Sequence, residues 1–250
     1  MPDFLDILAQ DALKTIGEGY YETFTEAQSL HLSLRKVVLQ CKKTAIISEI
    51  KFFSPSLGVL RKNGGIAQVV GEMEEGGAAG ISVLTEPKHF RGRPEHVAEA
   101  RKKVNIPILM KDIILSRLQI DAAYRTGADA ILLIQTLFDR GYCDGNVQDF
   151  IDFSHSKGLE VLLEVHTRDE FISALKTTAD LIGVNNRDLG TLKVNLDTIK
   201  RVQIGSRADN KVIVAESGIS SADDIRLLRK MGVKAFLVGT AVMKAECIKI

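Results

Sequence analysis

The chain has 250 residues, 45% of them hydrophobic, enough for one large core that buries roughly three quarters of the surface an unfolded chain exposes. Lys plus Arg number 33 against 32 for Asp plus Glu, so no net field draws a polyanion along one face, and nucleic acid is not an expected partner. The three cysteines (Cys41, Cys143, Cys247) are far apart and odd in number, and no apolar run approaches the about 20 residues that cross a bilayer; the expectation is a cytoplasmic chain with no disulfide framework, membrane span or secretory leader.

Residues 1–43 do not follow a strand-helix period and predict a helical extension, one or two helices packed over an end of the main body. From 44 onward short β-branched runs alternate with amphipathic segments, predicting strands at 44–51, 80–85, 106–111, 130–134, 160–165, 181–184, 211–216 and 235–238. Small residues recur ahead of several runs, as in Gly76-Gly77-Ala78-Ala79-Gly80 and Gly127-Ala128-Asp129, a weak repeat of βα type. A helical pattern over 221–232 has Ser220 or Ser221 as N-cap and Gly232 as stop. The tail after 238 predicts only a short eighth helix and a thin closing seam.

Right-handed crossovers between strands this apolar favour an α/β fold, a closed (β/α)8 TIM barrel with an N-terminal helical extension. Residues 1–250 then form one domain, 1–43 the extension and 44–250 eight βα units. The alternative is an open doubly wound sheet, which usually carries a glycine-rich phosphate turn after its first strand. That position holds Glu49-Ile50-Lys51-Phe52-Phe53-Ser54-Pro55-Ser56 instead.

The predicted strands end in ionisable or amide residues: Glu49 and Lys51, Lys111, Glu164, Asn185 and Glu216. In a parallel barrel such ends share one mouth. Glu49 and Lys51 alternate on one strand face, a spacing that a structural salt bridge explains equally well. Lys111 and Glu164 are too distant in sequence for a local pair. An ammonium there can protonate a carbonyl oxygen or hold an anion, and a carboxylate can shuttle protons. Each alone reads as a rim charge; their succession argues for a common centre.

Ser217-Gly218 and Gly239-Thr240 place small residues at the last two strand-to-helix junctions, where exposed N–H groups favour phosphate. Ser54-Pro55-Ser56 supplies a turn whose hydroxyls can bond backbone or ligand. The five histidines show no HxH or HExxH spacing, so no metal site is expected and each reads as a surface or supporting residue. Phe52, Phe53 and Phe90 either stack on an aromatic ligand or belong to the core.

Five strings in order carry a resemblance: Glu49-Ile50-Lys51-x-x-Ser54-Pro55-Ser56-x-Gly58, Leu84-Thr85-Glu86-x-x-x-Phe90-x-Gly92, Pro107-Ile108-Leu109-Met110-Lys111-Asp112, Gly183-Val184-Asn185-Asn186-Arg187-Asp188-Leu189 and Ala215-Glu216-Ser217-Gly218-Ile219. Together they resemble the indole-3-glycerol-phosphate synthases, from about Ile47 to Val242. The resemblance implies cofactor-free ring closure of 1-(2-carboxyphenylamino)-1-deoxyribulose 5-phosphate, with loss of carbon dioxide and water, by a monomer or weak homo-oligomer. It implies Lys111 as general acid on the ketone oxygen, Glu164 in the later proton transfers, Lys51 on the carboxylate or phosphate or as a further acid, Glu49 on the amine or in dehydration, and Asn185 and Arg187 as positioning groups. Glu216 would hold a hydroxyl, and Ser54, Pro55, Ser56, Phe90, Leu132, Leu189 and Leu237 would line the substrate. Ser217, Gly218, Gly239 and Thr240 would cradle phosphate.

The chain departs from the family at Phe52 and Phe53, at Leu57 where a lysine is common, and at Ile113 where phenylalanine is common. These changes imply a weaker first-loop phosphate contact and a thinner aromatic wall. Two other readings stay open on the residues alone: a phosphoribosylanthranilate or other sugar-phosphate isomerase on the same barrel, and a non-catalytic phospho-ligand-binding module.

Overall fold

The structure, a computed structural model, describes residues 2–22, 31–203 and 211–248. Parts of the predicted extension (1 and 23–30) and of the sixth and eighth βα units (204–210 and 249–250) lie outside the described residues.

Eight strands pair in parallel into a closed barrel: β1 Ala45–Ile50, β2 Gly80–Leu84, β3 Ile108–Lys111, β4 Ala130–Ile134, β5 Glu160–Val165, β6 Leu181–Asn185, β7 Val212–Glu216 and β8 Ala235–Val238. β8 closes onto β1, from Ala45 opposite Ala235 to Ser48 opposite Val238. Both faces of every strand are covered, which is why the strand sequences are nearly continuous apolar runs. Ile131, Leu133, Val161, Leu163, Ile182 and Val184 join one cluster with Val69, Ile120, Phe150 and Phe171 of the surrounding helices. The alternate positions Leu109, Leu132, Leu162, Leu181, Val214 and Leu237 fill the barrel interior. Truncating one of these buried leucines to alanine costs about 2–5 kcal/mol.

Several helices start on side-chain caps. Ser116, Thr167 and Ser221 each complete a capping box, and Gly127, at φ +82°, ends helix Arg117–Thr126. The helix expected over 221–232 runs Ala222–Lys230 from the Ser221 cap. Pro107 has no N–H to give the ladder, so β3 begins at Ile108, two residues later than predicted. Beyond β1, the segment read as a plain turn folds into a small hairpin, Phe53–Ser54 against Gly58–Val59, with Gly58 at φ +69°.

The two helices of the extension occupy opposite ends of the barrel. α1 (Phe4–Gly17) lies on the mouth, where strand C-termini point: Arg140 pairs with Asp3 and Asp6 at 2.8 and 2.7 Å, and His89 meets Asp11 at 3.0 Å. α2 (Leu34–Gln40) covers the other end, its cap Ser33 bonded to Glu160 and the Leu32 N–H donating to Asp129 at 2.8 Å, both at strand starts. After β8 comes a five-residue helix, Thr240–Lys244, and a groove of about 630 Å³ borders the β8–β1 seam. Among the described residues no helix is long and apolar enough to cross a membrane.

Candidate active site

Strand alternation decides which side chains reach the mouth. The interior columns Ile47-x-Glu49, Leu109-x-Lys111, Leu162-x-Glu164, Gly183-x-Asn185 and Val214-x-Glu216 each begin in the core and end in a polar group, so the charges predicted from strand ends converge. They line one cavity of about 580 Å³. Lys111 Nζ lies 3.2 Å from Glu164 Oε2 and 3.0 Å from Glu216 Oε2, and Lys51 Nζ lies 2.6 Å from Glu49 Oε1. Two glycines make room for these carboxylates. A Cβ on Gly183 would collide with Glu216 Oε1, and one on Gly239 with Glu49 Oε1.

The cluster separates its protons. Burial alone would discharge Lys111, but the carboxylates of Glu216, Glu164 and Glu49 outweigh it and raise its pKa, so the ammonium persists. Burial likewise opposes ionisation of Glu164, yet Lys111, with His166 and Asn185, holds that carboxyl below its usual range. Glu216 goes the other way: burial, and then the charge of Glu164, push it up to about 8 against the pull of Lys111. Its Oε1 has no hydrogen-bond partner. At neutral pH the site therefore offers an acid on Glu216, a base on Glu164 and an ammonium between them.

Neighbouring loops hold this arrangement. Asn185 Nδ2 donates to Glu164 Oε1 at 3.0 Å, the Arg187 N–H to Asn185 Oδ1 at 3.0 Å, and Arg187 Nη1 to the Leu192 carbonyl at 2.9 Å. Buried Glu86 accepts the N–H groups of Lys88, His89 and Phe90 at 3.0, 2.7 and 2.9 Å, which orders the loop that presents Phe90. Phe90, Leu132, Leu189 and Leu237 form an apolar wall, to which α1 adds Leu8. Ser217, Gly218, Gly239 and Thr240 also line the cavity; Ser217 and Gly218 have φ of +62° and +78°, and a Cβ on Gly218 would strike Val194.

Ser54, Pro55 and Ser56 are not part of the cavity wall; the two serine hydroxyls lie 3.2 Å from each other, and Leu57 faces the cavity from the same hairpin. Phe52 packs against the outer core, and Phe53 lies under Arg91, whose guanidinium carbon is 4.0 Å from the ring centroid. Ile113 lines the cavity where an aromatic residue was the family expectation. Leu8 escaped the sequence reading, Glu86 entered it only within a family string, and His166 only as one of five surface or supporting histidines. For His166 the signal was present, because it stands two positions after Glu164. Among the described residues no group of three or more His, Cys, Asp or Glu side chains is arranged to hold a metal ion.

Residues 10–249 match the family model described as indole-3-glycerol phosphate synthase. Among similar curated proteins, the indole-3-glycerol phosphate synthase of Caldanaerobacter subterraneus subsp. tengcongensis is 38% identical over 82% of this chain and 77% of its own length. That of Bacillus cereus is 34% identical over 99% of this chain and 96% of its own. Two solved structures, thiamine phosphate pyrophosphorylase from Pyrococcus furiosus and N-acetylmannosamine-6-phosphate 2-epimerase from Clostridium perfringens, superpose with TM-scores of 0.60 and 0.61 over 87% of this chain and 93% of theirs. At 20% and 17% identity they share its fold.

Proposed function

This chain belongs to the indole-3-glycerol phosphate synthase family, decarboxylating lyases of tryptophan biosynthesis, and on that premise we propose that its cavity closes the indole ring of 1-(2-carboxyphenylamino)-1-deoxyribulose 5-phosphate with Lys111 and Glu164 as the proton-transfer pair. One observation carries the reading: the Lys111 ammonium is held between two carboxyl groups of opposite protonation tendency, in a cavity apolar on one side and lined by small residues on the other.

The substrate matches that division. Its aromatic ring lies on Phe90, Leu132, Leu189 and Leu237, and its phosphate meets the N–H groups of Ser217, Gly218, Gly239 and Thr240. The ring carbon bearing the carboxylate attacks the keto carbon while Lys111 gives a proton to the keto oxygen. Carbon dioxide then leaves, its bonding pair restoring the aromatic ring. In the last step the new hydroxyl departs as water, and Glu164 takes part in removing a proton from the adjacent carbon. Lys51 holds the carboxylate until it is lost, and Glu49 assists dehydration. Glu216 hydrogen-bonds a substrate hydroxyl, Asn185 and Arg187 fix Glu164 and the adjoining loop, and Ser54, Pro55 and Ser56 complete the rim beside Leu57. Residues 1–250 act as one domain, since Leu8 of the extension lines the cavity, and we place the enzyme in the cytoplasm.

Protein mixed with the synthetic substrate, without metal or nucleotide, is expected to develop indole fluorescence, and K111A and E164Q to lose about 10²–10⁴-fold in kcat. A folded wild-type protein that leaves the substrate unchanged overturns the proposal.

A further inference from the structure

Glu164 does not end its interior column. Two positions on, His166 points to the same side of β5 and stands against the carboxylate oxygen that Lys111 does not use. Its Nε2 is 3.2 Å from Glu164 Oε1, the atom that also accepts from Asn185, whereas Lys111 approaches Oε2. Its Nδ1 is 3.8 Å from Glu170 Oε2. Both ring nitrogens are shut off from solvent, and neither makes a well-aligned hydrogen bond. A buried imidazole at ion-pair distance from a carboxylate, without a settled hydrogen bond of its own, is placed to act on that carboxylate.

The surroundings make the contact rigid and electrostatically one-sided. Glu170 accepts the N–H groups of His166 and Thr167 at 2.6 and 3.3 Å and the Thr136 hydroxyl at 2.8 Å, tying the start of helix Arg168–Leu175 to the end of β5. The acidic groups acting on the ring are Glu164 on its own strand, Glu170 on the following helix, Glu216 on β7 and Asp188 in the loop after β6, while the cation Lys111 on β3 stands beyond Glu164 on its other oxygen. Burial favours the neutral ring, but the nearby carboxylate of Glu164, then that of Glu170, raises its pKa above the ordinary histidine value.

We propose that His166 is a positioning residue for Glu164: as an imidazolium it grips Oε1 together with Asn185, leaving Oε2 directed at Lys111 and the substrate. The assignment rests on the proton-transfer role given to Glu164 above. Loss of the imidazolium proton, as pH rises through its raised pKa, removes the charge that strengthens the grip on Oε1 and leaves Asn185 and a neutral ring to hold it. The working form thus belongs to the lower side of that pKa, and its loss cuts the rate on the alkaline side.

Two measurements on the full-length protein test this, one independent of turnover. With ring-labelled histidine, NMR titration of wild type and E164Q, with H166Q to assign the signal, is expected to show a His166 midpoint above the ordinary value of about 6.5 that falls by a unit or more in E164Q. An unchanged midpoint in E164Q overturns the proposal, and this arm stands whatever reaction the enzyme catalyses. In the fluorescence assay, H166L is expected to lower kcat about 10–100-fold with KM within about twofold, and to lose the alkaline decline that coincides with the NMR midpoint. H166Q, which keeps an N–H donor near the position of Nε2, recovers part of kcat but not the decline. Wild-type kcat and pH profile in folded H166L, or in H166Q should the leucine variant not fold, overturn it equally.

Discussion

The two ends of the barrel handle buried charge in opposite ways. At the closed end Arg101 and Asp129 pair one to one at 2.8 Å, and both are tied to backbone: Asp129 accepts the N–H groups of Ile108 and Leu32 at 2.9 and 2.8 Å, and Arg101 donates to the carbonyls of Val104 and Ile106. At the mouth Glu49, Glu164 and Glu216 meet Lys51, Lys111, Asn185 and His166, and these carboxylates bond side chains rather than backbone N–H groups. The first pair is fixed in place by backbone dipoles. The second set can pass protons, because no backbone group dictates which carboxylate carries the charge. Burial of charge alone therefore does not mark the active end; the kind of partner does.

Breaking the closed end should produce the largest effect, and on stability. D129A strands the Arg101 guanidinium in the interior and is expected to cost about 3–5 kcal/mol in denaturant unfolding, while the folded fraction keeps its kcat. Equal loss of activity per folded molecule would erase the contrast between the two ends. G183A acts in the opposite sense. Its methyl displaces Glu216 Oε1, so kcat is expected to fall about 10–100-fold with little change in melting temperature. The smallest effect is on pH dependence and sharpens the comparison most. Glu216, with its pKa raised to about 8, is neutral below that value and ionises above it, so wild-type kcat/KM should decline as pH rises past about 8. E216Q imitates the neutral carboxyl and should remove the part of that decline that H166L retains, whereas E164Q lowers the entire profile. Because the two carboxyls share one ammonium, a kinetic midpoint belongs to the cluster and not to one residue.

Much of this was legible in the chain because a strand buried on both faces must be apolar until it leaves the core. Glu49, Lys111, Glu164, Asn185 and Glu216 mark that exit, and their convergence follows from barrel closure. Glu86 received no role from the sequence because it acts by accepting three loop N–H groups, a contact with no periodic signature. The hairpin after β1 escaped notice because its two-residue strands are shorter than any alternation can reveal. Leu8 lies in α1, whose sequence declares an amphipathic helix without saying which end of the barrel will receive it.

By itself the sequence determined the eight-strand count, the start of the helix capped at Ser220 or Ser221, and the acidic and basic strand ends, since hydrophobic period and capping are local properties of the chain. Only the tertiary structure decided that α1 covers the mouth and α2 the opposite end, that Lys111 lies between Glu164 and Glu216, and that His166 backs Glu164. Those outcomes depend on distances between residues far apart in the chain, and on the low-dielectric interior that splits the protons of two glutamates of identical intrinsic chemistry.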